Sequence, residues 1–198
     1  MKANSSIILG FSIIVLILIF TVSVFSLNYK LSTLETKVSE STSKFSSNNY
    51  EIDKSQTLFL YVEDRDSLGK YLETSIIKNL EKEGYTVELI TEFKENYETQ
   101  TLLISLPEKD IKYNPFSPSS RIRMLAYYTS SGDTEYFYDF KKEDNPPVVM
   151  RSEDGYTGEL IIVSKIVLDN TGKGIISLNA YREDLANSLA TSVGKIMK

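Results

Sequence analysis

Two residue types that carry much of protein chemistry are absent here: the 198 residues include no cysteine and no histidine. Without cysteine there can be no disulfide, no thiolate nucleophile and no zinc–thiolate site. Without histidine the chain lacks the commonest general base, the commonest metal ligand and the side chain that titrates near neutral pH. Together these absences favour a non-catalytic protein that binds no cofactor.

Basic residues are the second shortage. Lys and Arg number 22 against 27 Asp and Glu, which gives a formal net charge of −5. From Asn28 onward the net charge is −6, because Lys2 is the one charged side chain before that point. An acidic domain offers no electrostatic footprint for nucleic acid, so we expect no nucleic-acid partner.

Charge is missing altogether from Ile7–Leu27, a run of 21 residues. As a helix this run is ~31 Å long, close to the ~30 Å hydrocarbon core of a bilayer. We therefore predict a transmembrane anchor over residues 1–27, with the membrane as a partner of the chain. One alternative is a cleaved signal peptide, with Val24 and Ser26 as the small residues before a cut at Leu27. A buried core helix is the other alternative, although such a helix would show a polar face.

The short tail ahead of the run is the usual form of a signal anchor, which favours a single-pass membrane protein with an extracytoplasmic C-terminal domain. The basic residues do not support this orientation, because Lys30, Lys37 and Lys44 follow the run and Lys2 alone precedes it. A cytoplasmic domain is therefore the alternative.

Residues 28–55 are predicted to form a helical stalk and a linker. Apolar residues at Leu27, Leu31, Leu34 and Val38 are spaced four, three and four apart, the a/d pattern of a coiled coil. This spacing predicts a parallel homodimer or a partner helix through these four residues, or else an amphipathic helix that lies on the domain or on lipid. Ser39–Asn49 is rich in Ser and Asn without apolar periodicity, which predicts a flexible linker.

Residues 56–198 are enough for one soluble domain with its own core. Apolar periodicity, caps and turn residues set the predicted elements. They are strand Gln56–Val62, a helix to Glu83, strand Tyr85–Phe93, strand Gln100–Leu106 ended by Pro107, loop Glu108–Ser120, a hairpin of Arg121–Thr129 with Thr134–Lys141, loop Lys142–Gly158, a hairpin of Glu159–Leu168 with Gly174–Leu178 about Asp169–Gly174, and a helix from Asn179.

This order predicts an α+β fold, a two-layer α/β sandwich behind the N-terminal helix. A β-α-β unit comes first, antiparallel hairpins follow, and a C-terminal helix closes the domain, with both helices on one face of the sheet. The last helix is identified by its apolar stripe, Leu185, Leu189 and Val193.

The first of the two hairpins is the predicted binding surface. Pairing its strands sets Tyr127 beside Tyr136, Leu125 beside Tyr138 and Arg123 beside Phe140. If the aliphatic face packs on the helices, the other face is an exposed platform for a glycan, peptide or protein. If the aromatic face is core instead, there is no site. The candidate binding residues are Arg121, Arg123, Tyr127, Tyr136, Tyr138 and Phe140.

An acidic segment follows the first strand of the domain. Glu63, Asp64 and Asp66 could hold a hard cation, or supply paired carboxylates to a hydrolase together with the acids of Glu143–Asp154. The favoured interpretation is a solvated acidic cap on the following helix, with no metal and no catalytic residue. The segment has no glycine fingerprint, which disfavours a nucleotide site.

The order of elements, the "LDNTGKG" segment and the returning C-terminal helix resemble the small extracytoplasmic sandwich domains of the LptE and TolB N-terminal type. The resemblance covers about Gln56 to Lys198, and the lipidated cysteine of LptE is missing here. It implies a non-catalytic envelope domain that binds a partner or an envelope component. We therefore expect a membrane-anchored binding or assembly module. The alternatives are a carboxylate-dependent hydrolase and a structural subunit of a membrane complex.

Overall fold

The computed structural model describes residues 2–46, 51–142 and 159–198, with the side chains of α1 described from Gly10 to Phe25. The chain has a mixed α+β fold, as expected. Its elements are α1 (Lys2–Ser26), β1 (Lys30–Ser46), β2 (Thr57–Val62), α2 (Ser67–Lys82), β3 (Thr86–Ile90), β4 (Thr101–Lys112), β5 (Ser119–Thr129), α3 (Phe137–Lys142), β6 (Leu160–Ile176) and α4 (Leu178–Ile196).

The strands form one six-stranded sheet in the order β1-β6-β5-β4-β2-β3. β2 pairs in parallel with both β3 and β4, and every other neighbouring pair is antiparallel. The predicted β-α-β start is confirmed, because α2 connects β2 to its parallel neighbour β3. Asp66 caps α2, in agreement with the predicted acidic cap, and Gly84 follows the helix with φ of 93°.

The main core lies between one face of the sheet and the helices α2 and α4. Leu72, Ile76, Leu185 and Leu189 are fully buried there, which confirms the apolar stripe predicted for the last helix. Burying side chains of this size is worth about 1.5–3 kcal/mol each, so this face supplies most of the hydrophobic stabilisation.

A second, smaller core lies under the opposite face of the sheet. It gathers aromatic and aliphatic side chains from β2, β4, β5, β6 and α3, and the buried members include Tyr61, Leu103, Tyr127, Phe137 and Val163. The domain therefore has a partial third layer, which the two-layer prediction did not include.

The predicted helical stalk is wrong. Residues 30–46 form β1, which pairs antiparallel with β6 along its whole length, from Lys30 opposite Ile176 to Ser46 opposite Leu160. Ser and Thr side chains compete with the hydrogen bonds of a helix, and Thr favours strands. The segment therefore pairs with β6 in spite of its weak a/d pattern. Leu27, Leu31, Leu34 and Val38 therefore do not form a helical seam. A dimer through these residues stays a prediction, but it cannot be the predicted coiled coil.

The predicted turn at Asp169–Gly174 is also wrong, because β6 runs straight through it to Ile176. The glycines of this segment instead allow β1 to approach β6 closely. A Cβ on Gly172 would stand 2.7 Å from Leu34 Cδ2, a contact that would force a shift. Strand residues therefore pack closely where the sequence pattern predicted a reversal.

The strand predicted at Thr134–Lys141 is a turn followed by α3. β5 already has β4 on one side and β6 on the other, so it has no free edge for a hairpin partner. Thr134 turns away instead and donates its backbone N–H to the Glu95 carbonyl at 3.0 Å.

β4 continues beyond Pro107 to Lys112, where the sequence predicted a loop. A register shift between Ser105 and Glu108 absorbs Pro107, which has no N–H to give to the ladder. The predicted loop at Lys142–Gly158 lies almost entirely outside the described residues.

The predicted N-terminal helix is confirmed as a helix by α1, which covers the uncharged run up to Ser26. Counting the described residues alone, none of the helices has both the length and the hydropathy that crossing a membrane takes.

Candidate binding cleft

A cleft of about 570 Å³ opens beside the carboxyl end of β2. The chain leaves β2 toward β3 on one side, and β4 lies on the other side of β2. In open α/β sheets, ligands bind at such a switch point. We call this space the β2–β4 cleft, and its lining residues are Glu63, Asp64, Ser105, Leu106, Pro107, Tyr138, Lys141 and Lys142.

Glu63 stands at the centre of the cleft, directly after β2. Its carboxylate accepts a hydrogen bond from the Ser105 hydroxyl, which lies on the neighbouring strand. Lys141 of α3 donates to both carboxylate oxygens at 2.7 Å. The Glu63 and Lys141 side chains are only 27% and 28% exposed, so this ion pair is partly shielded from water. The charge of Glu63 is therefore already balanced within the fold.

Asp64 points to the opposite wall of the cleft. Its Oδ2 accepts the backbone N–H of Leu106 at 2.9 Å, and its Oδ1 pairs with the ammonium of Lys109. This backbone bond satisfies an amide beside the Pro107 irregularity, where the regular ladder is interrupted. Asp64 thus has a structural role in holding β4 against the end of β2.

Asp66 caps α2 and shares Lys109 with Asp64. Its Oδ1 accepts the Gly69 N–H at 2.9 Å, and its Oδ2 lies 2.9 Å from Lys109 Nζ. Burial opposes ionisation of Asp66, but the hydrogen bonds from Gly69 and Lys109 outweigh it, so the pKa of this carboxyl lies below its usual value. Asp66 is therefore ionised at neutral pH and serves as the helix cap that its sequence position predicted.

A ring from α3 forms the outer wall of the cleft. Tyr138 is 36% exposed and meets Phe93 edge to face, with ring centroids 4.8 Å apart. The ammonium of Lys141 lies 5.7 Å from the centre of the Tyr138 ring. Together they place an aromatic surface beside a shielded ion pair, an arrangement suited to a ligand that offers both apolar and polar groups.

The six predicted binding residues do not share one exposed platform. Tyr127 is fully buried, where it faces Leu103 on β4 and Val163 on β6 rather than Tyr136. The aliphatic face of β5 does pack on the helices, but α3 covers part of the other face.

The other five lie apart from one another. Arg121 forms an ion pair with Asp169 at 3.5 Å, and Arg123 forms one with Glu108 at 3.0 Å. Tyr136 is 36% exposed and Phe140 is half-buried against the second core. Tyr138 is the one member of the predicted set that lines the β2–β4 cleft.

The acids of the predicted cation site are engaged with lysines. No group of three or more acidic side chains in residues 2–46, 51–142 and 159–198 is arranged to hold a metal ion. The acids of Glu143–Asp154 that the hydrolase alternative needed lie outside the described residues.

The side-chain partners of the three acids, Ser105, Lys109 and Lys141, were not predicted from the sequence. Each is a common residue type with no local signal. Only the pairing of β2 with β4 and the placement of α3 bring them to the acids.

Comparison with known proteins gives no family. No protein-family model and no curated protein matches this sequence. Among solved structures, a point variant of the PelC dodecamer from Paraburkholderia phytofirmans has 9% identity and a TM-score of 0.39, over 79% of this chain and 98% of that chain. The PelC dodecamer of the same organism has 10% identity and a TM-score of 0.37, over 80% and 95%. At these TM-scores the likeness carries no conclusion about this chain.

Proposed function

We propose that this chain is a membrane-anchored, non-catalytic binding or assembly module whose sheet domain lies outside the cytoplasm. α1 is its anchor, and the β2–β4 cleft is its binding surface. The observation that carries the proposal is the apolar surface of α1 in front of a domain that already has a complete core. The main alternative is a structural subunit of a membrane complex.

The exposed side chains of α1 support the anchor. Large apolar residues are exposed on all sides of the helix from Phe11 to Val22, and Phe11, Leu16 and Val22 are 60% exposed or more. A helix that is apolar all round needs a membrane or a large protein around it, because soluble monomers rarely expose patches beyond a few hundred Å². The uncharged run begins at Ile7, three residues before the first described side chain at Gly10.

The chemistry of the cleft supports binding over catalysis. Glu63, Asp64 and Asp66 are each paired with a lysine, so no two of these carboxylates face each other as a free pair. A hydrolase with paired carboxylates is therefore less well supported. Tyr138 offers an accessible ring of the kind that dominates protein recognition.

Extraction of membranes tests the anchor. We expect the full-length protein to stay in the membrane pellet in alkaline carbonate, and Leu16→Lys with Ile19→Lys to release it, because charge at mid-span is costly. Leu16→Val with Ile19→Val is the matched control and should stay in the pellet. Release of the unmodified protein would refute the anchor, and an intact mass lacking the first 26 residues would favour a signal peptide.

Protease added to intact cells tests the orientation. An extracytoplasmic domain should be digested, whereas complete protection would place it in the cytoplasm.

A pull-down in mild detergent tests the cleft. Tyr138 and Tyr136 are equally exposed at 36%, but only Tyr138 lines the cleft. We expect Tyr138→Ala to lose a stoichiometric partner and Tyr136→Ala to retain it. Retention by both variants would show that the partner binds elsewhere.

A further inference from the structure

The turn between β4 and β5 packs directly against α1. The turn residues 113–118 read YNPFSP and carry no charge. Phe116 stacks on Phe20 of α1 with ring centroids 6.1 Å apart, and Tyr113 meets Phe25 edge to face at 5.9 Å. We call residues 113–118 the hairpin tip.

The hairpin tip is held in place by the sheet. The carbonyls of Pro115, Phe116 and Pro118 accept backbone N–H groups from β6 at 3.0, 3.1 and 2.8 Å. Tyr113 donates its hydroxyl to the Ile176 carbonyl at 2.8 Å. Phe116 is nevertheless 54% exposed, so a fixed backbone presents an aromatic ring to the outside.

The junction between α1 and the sheet is fixed as well. Tyr29 exchanges hydrogen bonds with Ser177 at 3.0 Å in both directions, and Lys30 lies 2.6 Å from Asp184 of α4. Val24 of α1 is 1% exposed. No flexible linker separates the helix from the domain in this structure, so the depth of one determines the depth of the other.

The position of Phe20 sets that depth. It precedes the end of the apolar run by seven residues, about 10 Å along a helix. If the last two turns of α1 stood clear of the bilayer, only Ile7–Ile19 would remain inside. That stretch is about 20 Å long, well short of the ~30 Å hydrocarbon core.

We propose that the hairpin tip enters the bilayer together with α1 and forms a second membrane contact. This inference rests on the proposed function, since it takes α1 as the anchor. The occupant of the apolar surface around Phe116 is lipid, because that surface continues the apolar surface of α1 through the Phe20–Phe116 contact. Tyr113, beside the end of the helix, lies at the level where tyrosine is enriched in membrane proteins.

Two contacts fix the tilt of the domain relative to the bilayer, whereas a single helix would leave α1 and the domain free to tilt together as one body. The cleft residue Leu106 precedes Tyr113 by seven positions along β4, roughly 23 Å of strand. The tip therefore holds the β2–β4 cleft away from the lipid, where a partner can reach it.

Single tryptophan reporters test this inference, because the sequence contains no tryptophan. The variants are Phe116→Trp at the tip, Phe20→Trp in the anchor and Tyr136→Trp on the turn before α3. Each full-length protein is reconstituted in phosphatidylcholine vesicles with and without brominated acyl chains. We expect brominated lipid to quench Phe116→Trp and Phe20→Trp to a comparable extent and to leave Tyr136→Trp unchanged.

Each other outcome has a distinct meaning. Quenching of Phe20→Trp without Phe116→Trp would overturn the tip contact and leave the anchor standing. Quenching of neither would refute the anchor itself, and equal quenching of all three would indicate non-specific adhesion and overturn the tip contact. Ser117→Trp, at an exposed tip position, replaces Phe116→Trp if that variant does not fold.

Discussion

The ammonium of Lys141 lies 2.7 Å from both carboxylate oxygens of Glu63, and this pair ties α3 to the end of β2. The pair therefore adds to the burial of Phe137 in holding the outer wall of the cleft in place.

Replacing Lys141 by methionine should loosen α3. Glu63 would keep its charge in a partly buried position with only the Ser105 hydroxyl to stabilise it, which should lower the free energy of unfolding by about 1–2 kcal/mol. Urea denaturation followed by circular dichroism measures this change.

Lys142→Met is the matched control for that measurement. Lys142 is 73% exposed and its ion pair with Asp139 is long, at 3.6 Å. We expect a change within about 0.5 kcal/mol, as for most surface substitutions. Equal losses from both variants would show that the Glu63 pair has no special role.

Tyr127→Ser tests the second core. Tyr127 is fully buried, so truncation should cost about 3–5 kcal/mol, the range for large-to-small changes of aromatic residues. Tyr136→Ser, at a ring that is 36% exposed, should cost less than about 1 kcal/mol. If the two losses in urea denaturation were similar, Tyr127 would not be a core residue.

The two long helices of this domain, α2 and α4, could be predicted because their signals are local, whereas the sequence predicted a strand at α3. The apolar stripe through Leu185 and Leu189 repeats at helical spacing, and Asp66 and Gly84 mark the two ends of α2 within the sequence itself. Such caps and stripes depend little on the rest of the fold.

The edges of the sheet could not be predicted, because their causes are distant in sequence. Lys30 is a strand residue because Ile176 pairs with it, and the sequence around Lys30 contains no signal that predicts this pairing. Gly172 resembles a turn glycine, although it makes room for Leu34 of β1. Part of the site could not be predicted for the same reason. Glu63 could be singled out as an acid, but Lys141 reaches it only because the chain turns into α3.

Two glycines should respond to alanine with opposite signs. Gly174 has φ of 105°, and a Cβ there would stand 2.5 Å from the Leu31 carbonyl oxygen. Gly174→Ala should therefore cost about 2 kcal/mol or more. Gly194 lies in α4, and a Cβ there would meet no atom within 4 Å, so Gly194→Ala should gain about 0.5–1 kcal/mol from helix propensity. Thermal unfolding of both variants beside the unmodified protein decides the signs.

Alkaline pH should destabilise the domain through Tyr85. Burial, with help from the charge of Glu83, raises the pKa of this tyrosine above its ordinary value of 10.0. A raised pKa contributes stability that is complete below pH 10.0 and is lost as the pH rises through the folded value, because the unfolded tyrosine ionises first.

Tyr85→Phe should reduce the loss of unfolding free energy at alkaline pH. It should also cost about 1 kcal/mol at neutral pH, because the Tyr85 hydroxyl donates to the Met197 carbonyl. Unfolding free energies across pH 8–11 measure both effects, with Tyr136→Phe as the comparison. An unchanged slope in Tyr85→Phe would assign the loss to other groups.

The direction of β1 restricts how copies of this chain can assemble. β1 begins four residues after α1 ends, runs for 17 residues, and has β6 on one side and no strand on the other among the described residues. A second copy added antiparallel along that edge would carry its own α1 to the far end of the joined sheet, roughly 56 Å away. If α1 is the anchor proposed above, two copies so placed cannot both insert it into one flat bilayer. Growth of the sheet at this edge is therefore open to a parallel strand, or to a partner that brings no membrane helix of its own.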